Sequence, residues 1–162
     1  MLTLSLSTPG STASAATEDI LETTQDVYAA LQPYQGDGKW LIVMLWSADC
    51  HICNEEAPRF VRFQSDYGDS NAQVVGLSLD GVQGKHKAEQ FIARHRLNYP
   101  NYIGEPLALL QVYTELTARR FMGTPSFLIF SPAGKIRAYQ VGPLDLDRLL
   151  RLMAQPERSS LP

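Results

Sequence analysis

Two stretches of the chain are apolar at nearly every position, and they predict buried strands. The first is Lys39–Trp46 (KWLIVMLW) and the second is Gln73–Leu79 (QVVGLSL). Apolar residues on both faces are typical of central strands in a sheet that helices cover on both sides. Two later strands, Ser126–Phe130 and Ile136–Val141, flank the turn residues Ser131–Gly134. This last pattern predicts a hairpin near the C-terminal end of the chain.

Helical periodicity fills the segments between these strands. We expect a first helix from an N-cap near Thr17, a second directly after the first strand, and a closing helix at 145–154. Two more helices, Lys85–Leu97 and roughly Pro106–Ala118, are expected between the second strand and the hairpin. The predicted order αβαβααββα is an α/β fold, with three layers α/β/α around a central mixed sheet.

The length of 162 residues fits one domain with a core of its own. We expect a folded unit at 17–155, a leader at 1–16 that is disordered or the remnant of a signal peptide, and a flexible tail at 156–162. The leader has no charge, ends in small residues and lacks a basic start. The net charge of −3 gives no case for a nucleic-acid partner, and we expect a monomer.

The two cysteines, Cys50 and Cys53, lie together in the run CHIC, directly after the first predicted strand. A disulfide that closes so short a loop stabilises a fold little, so the spacing indicates a bond that is made and broken. At the start of a helix, unpaired N–H groups and the helix dipole lower the pKa of the first thiol. We therefore predict Cys50 as the nucleophile and Cys53 as the resolving thiol, with no metal and no cofactor besides this disulfide.

Three charged or titratable neighbours bear on this pair. Asp49 would raise the pKa of the Cys50 thiol, whereas a protonated His51 would lower it. Glu56 follows Cys53 by about one helical turn, and we predict that its carboxylate exchanges a proton with a thiol.

The run Gly123–Ser126 (GTPS) precedes a strand, and on these residues alone the Thr-Pro bond is expected to be trans, because about 5–6% of such bonds are cis.

The segment Leu45–Pro58 (LWSADCHICNEEAP) resembles the active-site segment of the TlpA/ResA-like family of thioredoxin-fold thiol–disulfide oxidoreductases. Val74–Asp80 is similar to the second strand of that family, and Gly123-Thr124-Pro125 and Gly134-Lys135 follow in family order. The resemblance covers about residues 38–154. It departs from the family at Asp49, where members carry Trp, and at the N-terminal end, where a helix is expected in place of a hairpin.

The resemblance implies a thioredoxin fold with a TlpA/peroxiredoxin-type insertion between the second strand and the hairpin. It also implies a periplasmic or extracytoplasmic disulfide reductase, often membrane-tethered, whose electron donor is a membrane protein or a thioredoxin-like protein. Clients in the family include apocytochromes c before haem attachment, as in cytochrome c maturation. A cytoplasmic location stays open.

Carried over to this chain, the resemblance makes Cys50 the nucleophile, Cys53 the resolving thiol and Glu56 the acid/base carboxylate. Pro125 becomes a cis-proline beside the sulfurs. The residues expected to contact a client are Trp46, Asp49, His51, Ile52, Thr124 and Pro125.

Other functions remain as alternatives. A thiol oxidase or isomerase would use the same fold and the same pair of cysteines. A copper- or zinc-binding module would combine them with His51, His86 or His95. A peroxiredoxin requires Pro-x-x-x-Thr-x-x-Cys, which this chain lacks, and a c-type haem site requires His where Asn54 stands.

Overall fold

The computed structural model describes residues 20–155, which form a six-stranded sheet flanked by five α-helices. The strands are β1 (Ile20–Leu21), β2 (Trp40–Trp46), β3 (Ala72–Ser78), β4 (Asn101–Gly104), β5 (Ser126–Phe130) and β6 (Ile136–Val141). The helices are α1 (Thr24–Leu31), α2 (His51–Tyr67), α3 (Gly81–His95), α4 (Pro106–Thr117) and α5 (Leu146–Met153), and a 3-10 turn at Gln32–Tyr34 follows α1.

The sheet has the strand order β1-β4-β3-β2-β5-β6 and is mixed. The first four strands of this order are parallel to one another, whereas β5 is antiparallel to both β2 and β6. Trp46 is paired with Ser78, and Leu45 is paired with Ser126. The carboxyl ends of β2, β3 and β4 and the amino end of β5 therefore meet at one edge of the sheet, which we call the cysteine edge because Cys50 follows β2 there.

Side chains alternate along β2 between two hydrophobic cores, as the pleat of a strand requires. Trp40, Ile42, Met44 and Trp46 pack into one core, together with residues of α2, α3 and α5. The residues between them pack into the other core, against α1 and α4. Helices thus cover both faces of the sheet, which confirms the predicted three-layer arrangement and explains why β2 is apolar at every position.

The N-terminal part of the fold differs from the prediction. Thr17 lies outside the described residues, but the expected helix around Ile20 is wrong: Ile20 and Leu21 form β1, parallel to β4. The helix begins only at Thr24, because Thr23 and Asp26 form a capping box in which each side chain accepts from the backbone N–H of the other residue. The predicted leader and tail, 1–16 and 156–162, also lie outside the described residues.

Two further differences concern the segment between β3 and the hairpin. Strand β4 was not predicted, because it has four residues and gives no periodic signal. Helix α3 begins at Gly81, four residues before the predicted start at Lys85. The segment holds α3, β4 and α4, and its status as a family insertion stays a prediction. Within the described residues, no helix has the length and apolar character needed to cross a membrane.

Candidate active site

Cys50 and Cys53 form a disulfide at the start of α2, on the cysteine edge. Cys50 is the N-cap residue, and its Sγ accepts a hydrogen bond from the Cys53 N–H at 3.1 Å. The backbone therefore places the first sulfur over the positive end of the helix, where a thiolate is stabilised. Cys50 is partly exposed and Cys53 is fully buried. Cys50 is therefore the sulfur of the pair that another molecule can reach, and the roles of nucleophile and resolving thiol stay predictions.

The Thr124–Pro125 peptide bond is cis, as the resemblance implied, and it lies at the same edge. Pro125 immediately precedes β5, and its carbonyl oxygen accepts from the Gly142 N–H at 2.9 Å. No backbone hydrogen bond joins Thr124 to another residue in the described part of the chain. The Thr124 N–H and C=O at the cysteine edge thus have no backbone partner among the described residues, and the contact of Thr124 with a client stays a prediction.

Trp46 does not line the surface as expected. Its side chain is fully buried, stacks on Phe91 with ring centroids 4.2 Å apart, and donates from Nε1 to Asn101 Oδ1 at 3.2 Å. The prediction that Trp46 contacts a client is wrong for this conformation, because Trp46 is the last residue of a central strand and points into the core shared with α2 and α3.

The ionisable side chains on either side of Cys50, Asp49 and His51, each contact another ionisable side chain. Asp49, which is exposed, binds Lys87 Nζ of α3 at 2.7 Å, and this contact raises the pKa of Lys87. His51, also exposed, lies 3.2 Å from Glu55 one turn along α2. Asp49 and His51 were expected to shift the pKa of the Cys50 thiol in opposite directions. Each group faces a partner of its own, which weakens its effect on that thiol. Ile52, between the two cysteines, is half-buried.

Glu56 is 3% exposed, and both of its carboxylate oxygens are occupied. Oε1 is paired with Arg59, and Oε2 accepts from the Leu144 N–H at 3.1 Å. Arg59 also donates to the Leu144 carbonyl oxygen, so the pair binds both backbone groups of one residue. Leu144 follows Gly142, which binds Pro125. Glu56 and Arg59 thereby tie the disulfide helix to the loop between β6 and α5, which in turn contacts Pro125 through Gly142. The acid/base role of Glu56 stays a prediction.

Two positioning side chains were missed by sequence reasoning. Asn54 donates from Nδ2 to the carbonyl oxygens of Cys50 and Ala48, at 2.9 and 3.3 Å. Its Oδ1 lies 2.8 Å from His95 Nε2, so His95 is the donor in this contact. Burial, together with the nearby Arg94 charge, lowers the pKa of His95. Through His95 and Asn54, helix α3 thus holds the turn that carries Cys50. The sequence signal for this contact was His95, which falls on the apolar face of its predicted helix.

Asp80 supports the same turn from the end of β3. Its carboxylate accepts from the Ala48 N–H at 3.0 Å and from the Ser78 hydroxyl at 2.6 Å. Together with Asn54, it binds both backbone groups of Ala48. The residue two positions before Cys50 is therefore held in place on both sides.

The histidines do not converge on the cysteines. His51 faces Glu55, His86 faces Gln90 at 3.0 Å, and His95 faces Asn54. Among residues 20–155, no three His, Cys, Asp or Glu side chains lie close enough together to hold a metal ion. The pair Cys50 and Cys53 is arranged for dithiol chemistry, with no histidine beside the two sulfurs among the described residues.

Comparisons with known proteins identify a family for this chain. The model of the AhpC/TSA family matches residues 13–139. The chain is 26% identical to the thiol-disulfide oxidoreductase ResA of Oceanobacillus iheyensis, over 70% of this chain and 55% of that protein. It is 31% identical to a peroxiredoxin of Ignicoccus hospitalis, over 72% of this chain and 53% of that protein. The chain therefore spans about half the length of these two relatives.

A solved structure shows the same fold. The thiol:disulfide interchange protein of the thioredoxin family from Chlorobium tepidum superposes with a TM-score of 0.64, at 21% identity, over 78% of this chain and 83% of that one. This likeness confirms the thioredoxin fold that the sequence predicted. The chain belongs to the AhpC/TSA family, and it is a thiol–disulfide oxidoreductase of thioredoxin fold.

Proposed function

We propose that this protein is a reductase, which transfers electrons from its Cys50–Cys53 dithiol to disulfides of client proteins. The observation that carries the direction of electron flow is the pairing of charges around Cys50. Strongly oxidising sites owe their potential to a stabilised thiolate in the reduced state. Here the Lys87 ammonium, and the His51 imidazole when it is protonated, could stabilise such a thiolate, but they are paired with Asp49 and Glu55. The helix start alone is left to stabilise the thiolate, which favours a reducing potential.

The reaction proceeds in two exchanges. The Cys50 thiolate attacks one sulfur of the client disulfide, forming a Cys50–client disulfide and releasing the other client sulfur as a thiolate. The Cys53 thiolate then attacks Cys50 Sγ, which restores the intramolecular disulfide and releases the second client thiol. The client gains two electrons and the protein loses them. A dithiol donor, of membrane or thioredoxin-like type, must then reduce Cys50–Cys53 again.

The location follows from the resemblance to TlpA/ResA-like proteins and is part of the proposal. We place the protein outside the cytoplasm, in the periplasm or its equivalent, where client disulfides form and persist. Its clients would be secreted or membrane-attached proteins with paired cysteines, apocytochromes c among them.

Peroxide reduction is the second candidate, because the chain shares its family with a relative named peroxiredoxin. In that reaction the Cys50 thiolate would attack a peroxide oxygen, forming a sulfenic acid and releasing water or an alcohol; Cys53 would then condense with it, releasing water. The sequence context opposes this function. Val43 stands where a peroxidatic site has Pro, and Ser47 stands where it has Thr.

A comparison of the rates with the two substrates, a peptide disulfide and hydrogen peroxide, tests the proposal. The reduced protein is mixed separately with a peptide that contains a two-cysteine disulfide and with hydrogen peroxide, and loss of the Cys50–Cys53 dithiol is followed in each. We expect oxidation by the peptide to exceed oxidation by an equal concentration of peroxide by at least about tenfold. The Cys50→Ser variant is the control in both reactions. Faster oxidation by peroxide would overturn the reductase assignment in favour of a peroxidase.

A further inference from the structure

A cavity of about 390 Å³ lies between the edge strand β6 and helix α5. Its volume falls within the range of small-molecule sites, about 300–1,000 Å³. Part of its lining, which we call the apolar floor, consists of the buried side chains Ile129, Leu144 and Leu149. The described residues that line the cavity include neither a cysteine nor the cis-proline. The cavity is therefore separate from the disulfide site.

Positive charge is in excess around this cavity, although the whole chain has a net charge of −3. Arg137, Arg148 and Arg151 line it, and Asp145 is the one carboxylate among the described lining residues. Asp145 is the N-cap residue of α5 and accepts from the Arg148 N–H at 3.0 Å, so it already faces the helix start. Within residues 20–155, none of the three guanidinium groups is paired with a carboxylate. The cavity thus offers cationic donors that the described chain does not use.

The three arginines come from both sides of the cavity. Arg148 and Arg151 are three positions apart, so they lie on one face of α5. Arg137 has no partner in β5, because a β-bulge makes it an extra residue of β6, and a bulge redirects a side chain. Its guanidinium carbon lies 6.0 Å from the ring centroid of Trp40, which packs into the core shared with α5. Arg137 is therefore on the face of the sheet that α5 covers.

Hydrogen bonds hold the wall between β6 and α5 in place. The Leu144 N–H donates to Glu56 at 3.1 Å, and the Leu144 carbonyl oxygen accepts from Arg59. The Gln140 side chain, which also lines the cavity, donates to the Pro143 carbonyl oxygen in the same loop. The cavity is thus preformed, and a ligand would not have to order its lining.

We propose that this cavity binds a small organic anion, whose phosphate or carboxylate group contacts the arginines and whose apolar body packs on the apolar floor. A guanidinium group binds either oxyanion through two parallel hydrogen bonds. Strand β6 is the last strand of the sheet, so one row of its backbone N–H groups has no strand partner among the described residues and adds donors. The proposal does not depend on the direction of electron flow at Cys50.

An acidic peptide that adds a strand to β6 is the competing occupant. Such a strand would need only the open edge and the arginines. The buried apolar floor beside α5 favours a compact ligand that enters the cavity.

The test follows backbone amide chemical shifts of the ¹⁵N-labelled protein during titration with four probes. Phenyl phosphate and benzoate distinguish the two oxyanions, whereas inorganic phosphate lacks the apolar body and benzyl alcohol lacks the charge. We expect saturable shifts at Gln140, Leu144 and Leu152, which line the cavity, with a Kd of about 1 mM or below for at least one of the two organic anions. Inorganic phosphate and benzyl alcohol should each bind at least about tenfold more weakly, since each makes half of the contacts.

A pair of matched variants tests the arginines. Arg148→Gln with Arg151→Gln removes two exposed charges from the cavity, and Arg62→Gln with Arg94→Gln removes two exposed charges that do not line it. The first variant should weaken binding of the organic anion at least about tenfold, and the second should leave the Kd unchanged. Arg137 is kept in both variants because it also packs on Trp40.

Three results would overturn the proposal. The first is the absence of saturable shifts at the cavity with either organic anion, and the second is an equal loss of affinity in the two variants. The third is inorganic phosphate binding as tightly as phenyl phosphate, which would show an ion site without a role for the apolar floor. Tighter binding of the peptide Glu-Val-Glu-Val-Glu than of either organic anion, with shifts along the whole of β6, would replace the ligand site by a docking edge for an acidic protein segment.

Discussion

The Cys53→Ser variant is expected to accumulate a covalent complex with its client. Cys50 remains at the exposed N-cap and still attacks the client disulfide, but the buried thiol that would resolve the mixed disulfide is gone. The complex should then persist for minutes to hours, the time scale of uncatalysed disulfide exchange. Mass spectrometry of the mixture under non-reducing conditions should show about one client peptide per protein, joined through Cys50.

The matched variant Cys50→Ser is the control for this trap. It retains a thiol at position 53, but Cys53 is fully buried in the core formed with β2 and α3. No adduct should form, and disulfide turnover should fall to the uncatalysed rate. An adduct of comparable yield in Cys50→Ser would mean that the roles of the two thiols are reversed.

Loss of the Glu56 carboxylate is expected to destabilise the protein by about 2 kcal/mol. The Glu56→Ala variant leaves the Leu144 N–H without its acceptor in a buried setting and leaves Arg59 without its counter-ion. The cost stays below that of a fully buried ion pair because Arg59 is half exposed. At about 3 °C per kcal/mol for a domain of this size, the Tm should fall by about 6 °C in a thermal melt.

The comparison of Glu56→Gln with Arg59→Gln separates the two roles considered for Glu56. If the carboxylate ties α2 to the loop between β6 and α5, both variants lose the ion pair, and both should lower the Tm and the rate of disulfide exchange together. If Glu56 transfers a proton to a thiol, Glu56→Gln alone should slow exchange and alter its pH profile, with Arg59→Gln close to the unsubstituted protein. The second pattern would contradict the positioning role.

The sequence was most informative where a local pattern, such as a continuous apolar run or the spacing of two cysteines, is enough to identify an element or a site. The continuous apolar run of β2 predicted a central strand because both of its faces are buried, and the pattern of Phe60 and Phe63 in α2 reflects the same core. The two cysteines identified the site because their spacing and their place after that strand admit few other uses. The cis bond at Pro125 could not come from the residues alone, since the trans form is the common one.

The parts that the sequence did not reveal depend on contacts between distant residues. Strand β1 has two residues and exists because β4 lies beside it. The burial of Trp46 follows from the stacking of Phe91, which comes from a helix 45 positions later in the chain. The Asn54–His95 contact and the binding of Leu144 by Glu56 likewise join separate elements. Periodicity describes single elements, so such partners become visible only when the elements are assembled.

The reduction potential of the Cys50–Cys53 pair tests the central claim most directly. It is measured by equilibration with defined ratios of reduced and oxidised dithiothreitol, beside a control variant with Asp49→Asn and Glu55→Gln, in which Lys87 and His51 lose their partners. A reductase predicts a potential of about −230 mV or lower for the unsubstituted protein, with a higher value for the control variant. A value between about −180 and −120 mV would contradict the account and identify an oxidase or isomerase.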